Sequence, residues 1–283
     1  MPDLKAFYQP RTLNEALALL EEHGERARPL AGGTSLAVSK SPRVEVLVDL
    51  GRIGLDRVEE KEDGLHVGAM VTCTALRRQL PDGAPGALRD ALDRIASRIL
   101  QNQITVGGNC VMVFSWSDLP VVLWCLGATF VVQGRRRREL PADRFFAEHP
   151  THVLAEGELL CEAIVPRPQP GEGSAYVKFA RNTTDQALAS AAAMVRIVDG
   201  KLQGARIAVG AVRGLPQLLH GAASALEGQA PDAVTLAAAA TRAAGEAKIT
   251  GDYKASAEYR QQLVAALVED ALELAVRRAG GAS

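Results

Sequence analysis

The stretch Arg28-Pro-Leu-Ala-Gly-Gly-Thr-Ser-Leu36 decides how the chain is interpreted, because a glycine pair directly follows a short extended segment, 27–31. A second pair stands in Thr105-Val-Gly-Gly-Asn109. Glycine adopts positive φ at little cost, so a glycine pair lets successive backbone N–H groups converge on one point. Such a nest binds anions, especially phosphate, and a neighbouring Thr, Ser or Asn adds a side-chain donor. Two nests brought together by folding would suit a pyrophosphate.

Residue types alone leave a second interpretation open for both pairs. Neither pair fits the dinucleotide pattern G-x-G-x-x-G or the P-loop pattern, so both of those sites are excluded by residue identity. An isolated Gly-Gly is more often a plain tight turn than a ligand site. Composition does not decide between the nest and the turn.

Length and charge limit the class of protein. The chain has 283 residues, enough for one large or two modest domains, and 32 basic residues balance 33 acidic ones. That balance argues against general nucleic-acid or membrane-surface binding. The N-terminus lacks the apolar core of a signal peptide, and the longest apolar run, 119–132, is too short to span a bilayer. The cysteines are scattered without a C-x-x-C pair: Cys73, Cys110, Cys125 and Cys161. We expect a cytoplasmic protein without metal ligands of its own.

Hydrophobic patterning predicts a mixture of helices and strands. A capping box at 12–15 begins a helix that Gly24 can close. Asp199-Gly200 lies between two strand-like runs and indicates a type I′ hairpin. The Pro- and Gly-rich segment 165–173 is the best linker candidate. Further helices are expected over 87–100, 119–126 and 256–278, and strands over 27–31, 44–50, 65–70, 128–132, 159–165, 175–179, 194–198 and 202–212.

Four motifs occur in a fixed order along the chain. They are the stretch 28–36; Thr105–Asn109 followed by Ser117-Asp118-Leu-Pro120; Tyr176-Val-Lys-Phe-Ala-Arg181 followed by Asp185; and Gly251-Asp252 followed by Ser256-Ala-Glu-Tyr-Arg260. Together they resemble the FAD-binding medium subunits of the molybdenum hydroxylase family, which includes carbon monoxide dehydrogenase medium subunits and the flavin domain of xanthine dehydrogenase. The resemblance covers essentially the whole chain.

The resemblance implies an α+β fold. A two-part FAD-binding domain of the vanillyl-alcohol-oxidase/PCMH type would span 1–168, with sub-parts of about 1–55 and 56–168. A small C-terminal domain of the carbon monoxide dehydrogenase flavoprotein type, with an antiparallel sheet and helices, would span 174–280.

The resemblance also implies roles for particular residues. Backbone donors of 30–35 would surround the FAD pyrophosphate, Asp118 would accept hydrogen bonds from ribitol hydroxyls, and Lys178 would lie near the flavin ring. Ile95 would line the wall of the pocket around the flavin ring. The residues assigned to FAD are Arg28, Leu30, Ala31, Gly32, Gly33, Thr34, Ser35, Leu36, Thr105, Gly107, Gly108, Asn109, Asp118, Leu160 and Lys178. No catalytic or metal-binding residue is predicted on this chain.

The function implied is that of a flavin subunit in a multi-subunit molybdenum hydroxylase. A large partner would carry molybdopterin and oxidise the substrate, and a small partner would carry two [2Fe–2S] clusters, as a dimer of heterotrimers. Electrons would pass through FAD to NAD⁺, a quinone or O₂. Two alternatives stay open: a self-contained FAD-dependent oxidase, and a flavin-free scaffold subunit.

Several features depart from the family pattern or stand outside it. Ser35 replaces a common Asp or Glu, and 110–116 is apolar and aromatic where many members have small polar residues. The run Arg135–Arg138 is interpreted as an exposed turn rather than a nucleic-acid site. His149 and His152 lack a third metal ligand nearby. A structural ion pair is expected between Arg181 and Asp185, while the role of Trp116 is left open.

Overall fold

The computed structural model describes residues 4–36, 44–182 and 184–280, and these form two compact units that interleave along the chain. Unit 1 takes its described residues from 1–79, 97–112 and 129–165. Unit 2 takes them from 80–96, 113–128 and 166–283. The domain bounds expected from the sequence, 1–168 with its two sub-parts and 174–280, stay predictions.

The described residues alternate between helices and strands. The helices are α1 Leu13–His23, α2 Cys73–Gln79, α3 Gly86–Arg94, α4 Arg98–Gln101, α5 Val106–Val111, α6 Asp118–Cys125, α7 Ala142–Phe145, α8 Pro150–Val153, α9 His220–Ser224, α10 Ala233–Glu246 and α11 Ala257–Ala279. The strands are β1 Ala6–Tyr8, β2 Ala27–Leu30, β3 Val46–Asp49, β4 Val58–Lys61, β5 Gly64–Gly68, β6 Thr129–Gln133, β7 Arg137–Pro141, β8 Leu159–Pro166, β9 Glu172–Phe179, β10 Ala189–Val198, β11 Lys201–Gly210 and β12 Gln217–Leu218.

Unit 1 contains two sheets. A three-stranded parallel sheet has the order β1-β3-β2, and a five-stranded sheet has the order β4-β5-β8-β6-β7. The buried residues of α1, Ala16 and Leu20, pack in one apolar cluster with Val46 and Val48 of β3. Helix α1 begins as predicted, since the Thr12 side chain accepts from the Glu15 N–H. The Glu15 carboxylate, however, accepts from the N–H of Arg11.

Unit 2 is built on an antiparallel sheet of order β12-β11-β10-β9. Asp199 and Gly200 both have positive φ, 51° and 73°, which confirms the type I′ turn between β10 and β11. Alternate residues of β9 and β10, including Ala175, Ala189 and Ala191, lie in the apolar cluster shared with α10 and α11. The intervening residues of β9 and β10 therefore point to the opposite face, and α3 and α6 also pack on these strands.

One helix prediction is wrong. The segment 87–100 is interrupted between α3 and α4, because Ile95 is extended and Ala96 has a φ of 45°. Ser97 then caps α4 by accepting from the Leu100 N–H. The short strands β1, β4, β7 and β12 were not predicted, since few of their residues are buried and their apolar patterns are weak. Within 4–36, 44–182 and 184–280, no helix is both long enough and apolar enough to cross a membrane.

A bidentate ion pair links three elements of unit 2. The Arg278 guanidinium donates to both carboxylate oxygens of Asp90, at 2.6 and 2.8 Å, and to the Ser174 carbonyl at 2.7 Å. Asp90 also accepts from the Tyr176 N–H at 3.0 Å. One carboxylate of α3 is thus tied to both α11 and β9, which fixes the position of Tyr176 along the sheet.

We expect Asp90→Ala to lower the free energy of unfolding by about 2 kcal/mol, because it leaves the Arg278 guanidinium and the Tyr176 N–H without their acceptor. The matched control is Arg277→Ala, since Arg277 is exposed and lies 3.8 Å from Glu273. The control should change the free energy by less than about 0.5 kcal/mol. Urea denaturation followed by circular dichroism measures both, and equal effects would contradict the assigned role of Asp90.

Candidate functional site

The first glycine loop, 31–36, leaves β2 in unit 1. Leu30 ends the strand, and its carbonyl accepts from the Leu50 N–H at 2.9 Å. Gly33 has a φ of 72°, a left-handed conformation that L side chains rarely adopt. A Cβ on Gly32 would lie 1.6 Å from the carbonyl oxygen of Gln103. Both glycines are therefore required by the backbone, one by its conformation and the other by a close approach.

The second glycine pair is neither a left-handed nest nor a tight turn, the two structures that its residue types left open. Gly107 and Gly108 lie in the first turn of α5, and neither has positive φ. Thr105 caps this helix by accepting from the Gly108 N–H at 3.1 Å. The Gly107 N–H donates to Ala69 at 2.8 Å, and a Cβ on Gly107 would lie 2.6 Å from the Ala69 Cβ. Close approach, rather than φ, requires a glycine there.

One polar atom of the second loop has no partner. The Asn109 carboxamide oxygen is buried and makes no hydrogen bond within the described part of the chain. A buried acceptor without a donor carries a desolvation cost of about 1–3 kcal/mol. Thr105 differs, since its hydroxyl oxygen accepts from Gly108 while its own proton remains available to another acceptor.

Two further predicted residues of unit 1 lie on strands, Leu160 in β8 and Arg28 in β2. Leu160 is buried in β8, and the pairing of β8 with β6 shifts register there, which leaves Cys161 as a bulge. Bulges redirect backbone groups, and they occur often beside ligand sites. The Arg28 guanidinium donates to two carbonyls of its own segment, Glu25 at 2.9 Å and Ala27 at 2.7 Å.

In unit 2, Asp118 and Lys178 form a buried ion pair. Asp118 is the first residue of α6, and its Oδ1 atom lies 3.4 Å from the Lys178 ammonium. Each side chain is only 5% exposed, so the pair is shielded from water. The phenol of Tyr176, which is fully buried, donates to the same Oδ1 atom. Ile95, at the end of α3, is also buried in this unit.

The electrostatics of this cluster follow from its burial. Desolvation raises the pKa of Asp118, while the Lys178 charge and the hydrogen bonds from Tyr176 and Lys178 act in the opposite direction. Burial and the neighbouring Asp118 carboxylate raise the pKa of Tyr176 well above its ordinary value. Tyr176 therefore stays protonated and acts as a donor.

Sequence reasoning named Asp118 and Lys178 but missed Tyr176 and the direct pairing. The available signal was the spacing of Tyr176 and Lys178, two residues apart on a strand, which places both side chains on one face. Their partner on α6 was not visible in the pattern, because Asp118 lies 58 residues away from Tyr176 in the chain.

The arginine run belongs to a hairpin of unit 1. Its turn is shorter than expected, because Arg137 and Arg138 already lie in β7. Three arginines of the run form ion pairs with glutamates. The pairs are Arg135–Glu21 at 2.5 Å, Arg137–Glu139 at 2.7 Å and Arg138–Glu158 at 2.6 Å.

Other features that the sequence singled out have local roles. Arg181 and Asp185 pair at 2.9 Å, which confirms the structural ion pair. The His149 side chain accepts from the Thr151 N–H at the start of α8. Trp116 is 38% exposed and stacks on Phe114, with ring centroids 5.0 Å apart. In the described ranges, no three His, Cys, Asp or Glu residues form a group that could hold a metal ion.

The residues present fit FAD on two observations of unit 1. Gly33 turns its backbone by positive φ, and Asn109 presents a buried acceptor that has no donor among the described residues. The phosphates of a dinucleotide accept from backbone N–H groups such as those around Gly33, and its hydroxyls can donate to an amide oxygen such as that of Asn109.

Comparison with known proteins gives the same assignment. A family model described as "FAD binding domain in molybdopterin dehydrogenase" matches residues 3–168, and one described as "CO dehydrogenase flavoprotein C-terminal domain" matches residues 174–275. The carbon monoxide dehydrogenase medium chain of Afipia carboxidovorans is 34% identical over 96% of this chain and 97% of its own length. The medium chain of Hydrogenophaga pseudoflava is 30% identical over 98% and 99%.

A solved structure agrees with these relatives. In reconstituted CO dehydrogenase from Oligotropha carboxidovorans, one chain matches with a TM-score of 0.92 and 31% identity, covering 98% of this chain and 99% of that one. The predicted α+β architecture, an FAD-binding domain followed by a C-terminal domain with an antiparallel sheet, is confirmed. The chain therefore belongs to the FAD-binding medium subunits of the molybdenum hydroxylase family, of the carbon monoxide dehydrogenase and xanthine dehydrogenase type.

Proposed function

We propose that this chain is the flavin subunit that passes electrons from [2Fe–2S] clusters of a small partner, through bound FAD, to NAD⁺, a quinone or O₂. A large partner with molybdopterin oxidises the organic substrate. Family membership supports this division of labour, since the relatives are named as medium chains of dehydrogenases. The observation that carries the proposal is the buried, unpartnered Asn109 oxygen in a loop held close by Gly107.

The second loop contributes one donor and one acceptor to the proposed site. Thr105 already accepts from Gly108, so its hydroxyl proton is available to a phosphate oxygen. A phosphate oxygen has no proton to give, so the Asn109 oxygen requires a different partner. The ribitol hydroxyls of FAD supply that donor. Bound FAD would supply the redox chemistry, which exchanges electrons singly or in pairs.

The first loop is proposed to hold the pyrophosphate through backbone N–H groups of 30–35, with the Thr34 hydroxyl assisting. The left-handed Gly33 supports this role, because it turns the chain so that successive N–H groups face one side. Ser35 carries no negative charge to repel phosphate. The Arg28 guanidinium donates to the carbonyls of Glu25 and Ala27, which precede the loop, and its charge favours the nucleotide. Ala31 and Leu36 complete the loop on either side.

The remaining proposed contacts concern the ribitol and the ring. Asp118 is proposed to accept from a ribitol hydroxyl, and Lys178 to place positive charge near the flavin, where it would favour the reduced, anionic form. The buried pair that these two residues form supports a shared task. Leu160 is proposed to offer a backbone group to the ring edge from beside the bulge, and Ile95 to line the wall.

The finer features of the assembly are proposals as well. We propose a dimer of heterotrimers in the cytoplasm that does not bind nucleic acid. Cytoplasmic placement is supported by the four cysteines, which are buried and form no disulfide within the described part of the chain. The acidic partners of Arg135, Arg137 and Arg138 argue against a phosphate-binding role for that run.

Two other functions make different predictions. A self-contained FAD-dependent oxidase would have its flavin reduced directly by an organic substrate, whereas a subunit of this kind needs its partners. A flavin-free scaffold would not bind FAD at all. Dithionite reduction of the FAD-loaded chain, followed by mixing with NAD⁺, a quinone or O₂, identifies the acceptor by the return of flavin absorption. Failure of every acceptor would contradict the electron-transfer role.

Removal of the Asn109 acceptor tests the site with little risk to the fold. We expect Asn109→Ala to weaken FAD binding about tenfold, the worth of one hydrogen bond to a buried group. The melting temperature of the apoprotein should not fall, because this oxygen bonds to nothing in the described part of the chain. Quenching of FAD fluorescence measures the dissociation constant.

The matched control is Asn102→Ala, since Asn102 is an exposed residue of the same unit. It should bind FAD as the wild type does. Equal affinities for Asn109→Ala and Asn102→Ala would contradict the placement of the second loop at the cofactor.

A glycine substitution tests close backbone approach in the same loop. We expect Gly108→Val to abolish FAD binding, because a Cβ there would lie 2.8 Å from the Thr105 hydroxyl oxygen and displace it. The control Gly83→Val introduces the same side chain where nothing lies within 4 Å. Circular dichroism confirms that both variants fold. Full FAD retention in Gly108→Val would exclude the proposed contact between the second loop and FAD.

A further inference from the structure

The phenol of Tyr176 is the one member of the Asp118 cluster to which the family resemblance gave no role. Tyr176 is fully buried on β9, and its hydroxyl donates to Asp118 Oδ1. Ser190, opposite Lys178 on β10, is also buried and hydrogen-bonds to the phenol. The side chains of Tyr176, Lys178 and Ser190 therefore lie on one face of the sheet, the face on which α6 packs.

The direction of each hydrogen bond follows from the chemistry of the groups. An ionised carboxylate only accepts, so the single phenol proton goes to Asp118. The Ser190 hydroxyl then donates to the phenol oxygen, which orients that proton. Among the described residues, Tyr176 and Lys178 both approach Asp118 at Oδ1. This arrangement leaves the Oδ2 atom for another donor.

A purely structural role would not require a hydroxyl at this position. Phenylalanine would fill almost the same volume between β9 and α6, without the desolvation cost of a buried polar group. A hydroxyl bonded to a buried carboxylate instead supports the ionised form and fixes its orientation.

We propose that Tyr176 is a positioning residue of the flavin site: it holds Asp118 by Oδ1, so that Oδ2 accepts from a ribitol hydroxyl of FAD. The proposal rests on the function proposed above. Lys178 balances the charge of the carboxylate, and Tyr176 restricts its rotation. Asp90 fixes the backbone of Tyr176 by accepting from its N–H, so the phenol acts from a defined point on the sheet.

The first test compares FAD affinity in two tyrosine variants. Tyr176→Phe is expected to raise the dissociation constant of FAD about tenfold, because Asp118 is no longer held in place. Tyr253→Phe removes the same hydroxyl from a residue that is 92% exposed in the same unit, and should leave the affinity unchanged. Equal affinities of Tyr176→Phe and the wild type would overturn the proposal.

A double-mutant cycle separates positioning from general support of the fold. If Tyr176 acts through Asp118, Tyr176→Phe should weaken FAD binding much less in an Asp118→Asn background than in the wild type. Losses that simply multiply in the double variant would show that Tyr176 acts independently, and would overturn the proposal.

The pH profile of FAD affinity provides a second readout. The affinity for FAD should fall as the pH falls through the pKa of Asp118, because a protonated carboxyl group can no longer accept hydrogen bonds on both of its oxygens. The phenol lowers that pKa, so Tyr176→Phe should move the loss of affinity to higher pH. The charged or titratable groups around α6 include Tyr176, Lys178 and Glu172 on β9, Asp90 and Arg94 on α3, and Arg206 on β11. An unchanged profile would overturn the proposal.

The outcomes distinguish this inference from the proposed function. If the wild-type chain binds no FAD, the proposed function fails before Tyr176 is tested. If the wild type binds FAD and Tyr176→Phe does not fold, Ser190→Ala carries the test. This milder variant removes only the group that orients the phenol, and it should weaken FAD binding about threefold with the same upward pH shift. Wild-type affinity and an unshifted profile in Ser190→Ala would then overturn the proposal.

Discussion

A carboxylate buried in unit 2 sets the strictest physical condition on this protein. Asp118 is 4% exposed, and an unpaired charge at such a position would cost several kcal/mol. Lys178 and Tyr176 compensate the buried charge of Asp118 only if β9 presents both residues to the first turn of α6. The register of the sheet, the hairpin that follows it and the Asp90–Arg278 pair all maintain this arrangement. The need to satisfy one charge thus connects the packing of unit 2 to its proposed chemistry.

Unit 1 is constrained by close backbone contact rather than by charge. Gly32 lies against the carbonyl of Gln103, and Gly107 lies against Ala69, at distances that leave no room for a Cβ. These contacts tie the first loop to the segment before α5, and α5 to the end of β5. The Asn109 oxygen has no donor among the described residues, and the proposed cofactor would supply one. Unit 1 is therefore held by close backbone contact, whereas unit 2 is held by a compensated charge.

Local sequence signals predicted the local structure well. The Thr12 cap of α1 and the Asp199-Gly200 turn each depend on neighbouring residues, and both are present. The reciprocal half of the capping box is absent, since the Glu15 carboxylate accepts from Arg11. The break at Ala96 was not predictable, because Ala favours a helix and only its surroundings impose a φ of 45°. The pairing of Asp118 with Tyr176 was missed for the same reason, since it joins residues far apart in the chain. The second loop needs glycine at Gly107 for close backbone contact and not for positive φ.

Whether the isolated chain carries its cofactor tests the central claim most directly. The measurement is the visible absorption spectrum of the purified protein, together with chromatographic identification of whatever heat releases from it. The account predicts flavin absorption and FAD released in an amount equimolar with the chain, either as purified or after incubation with FAD. A folded chain that stays colourless after that incubation would contradict it.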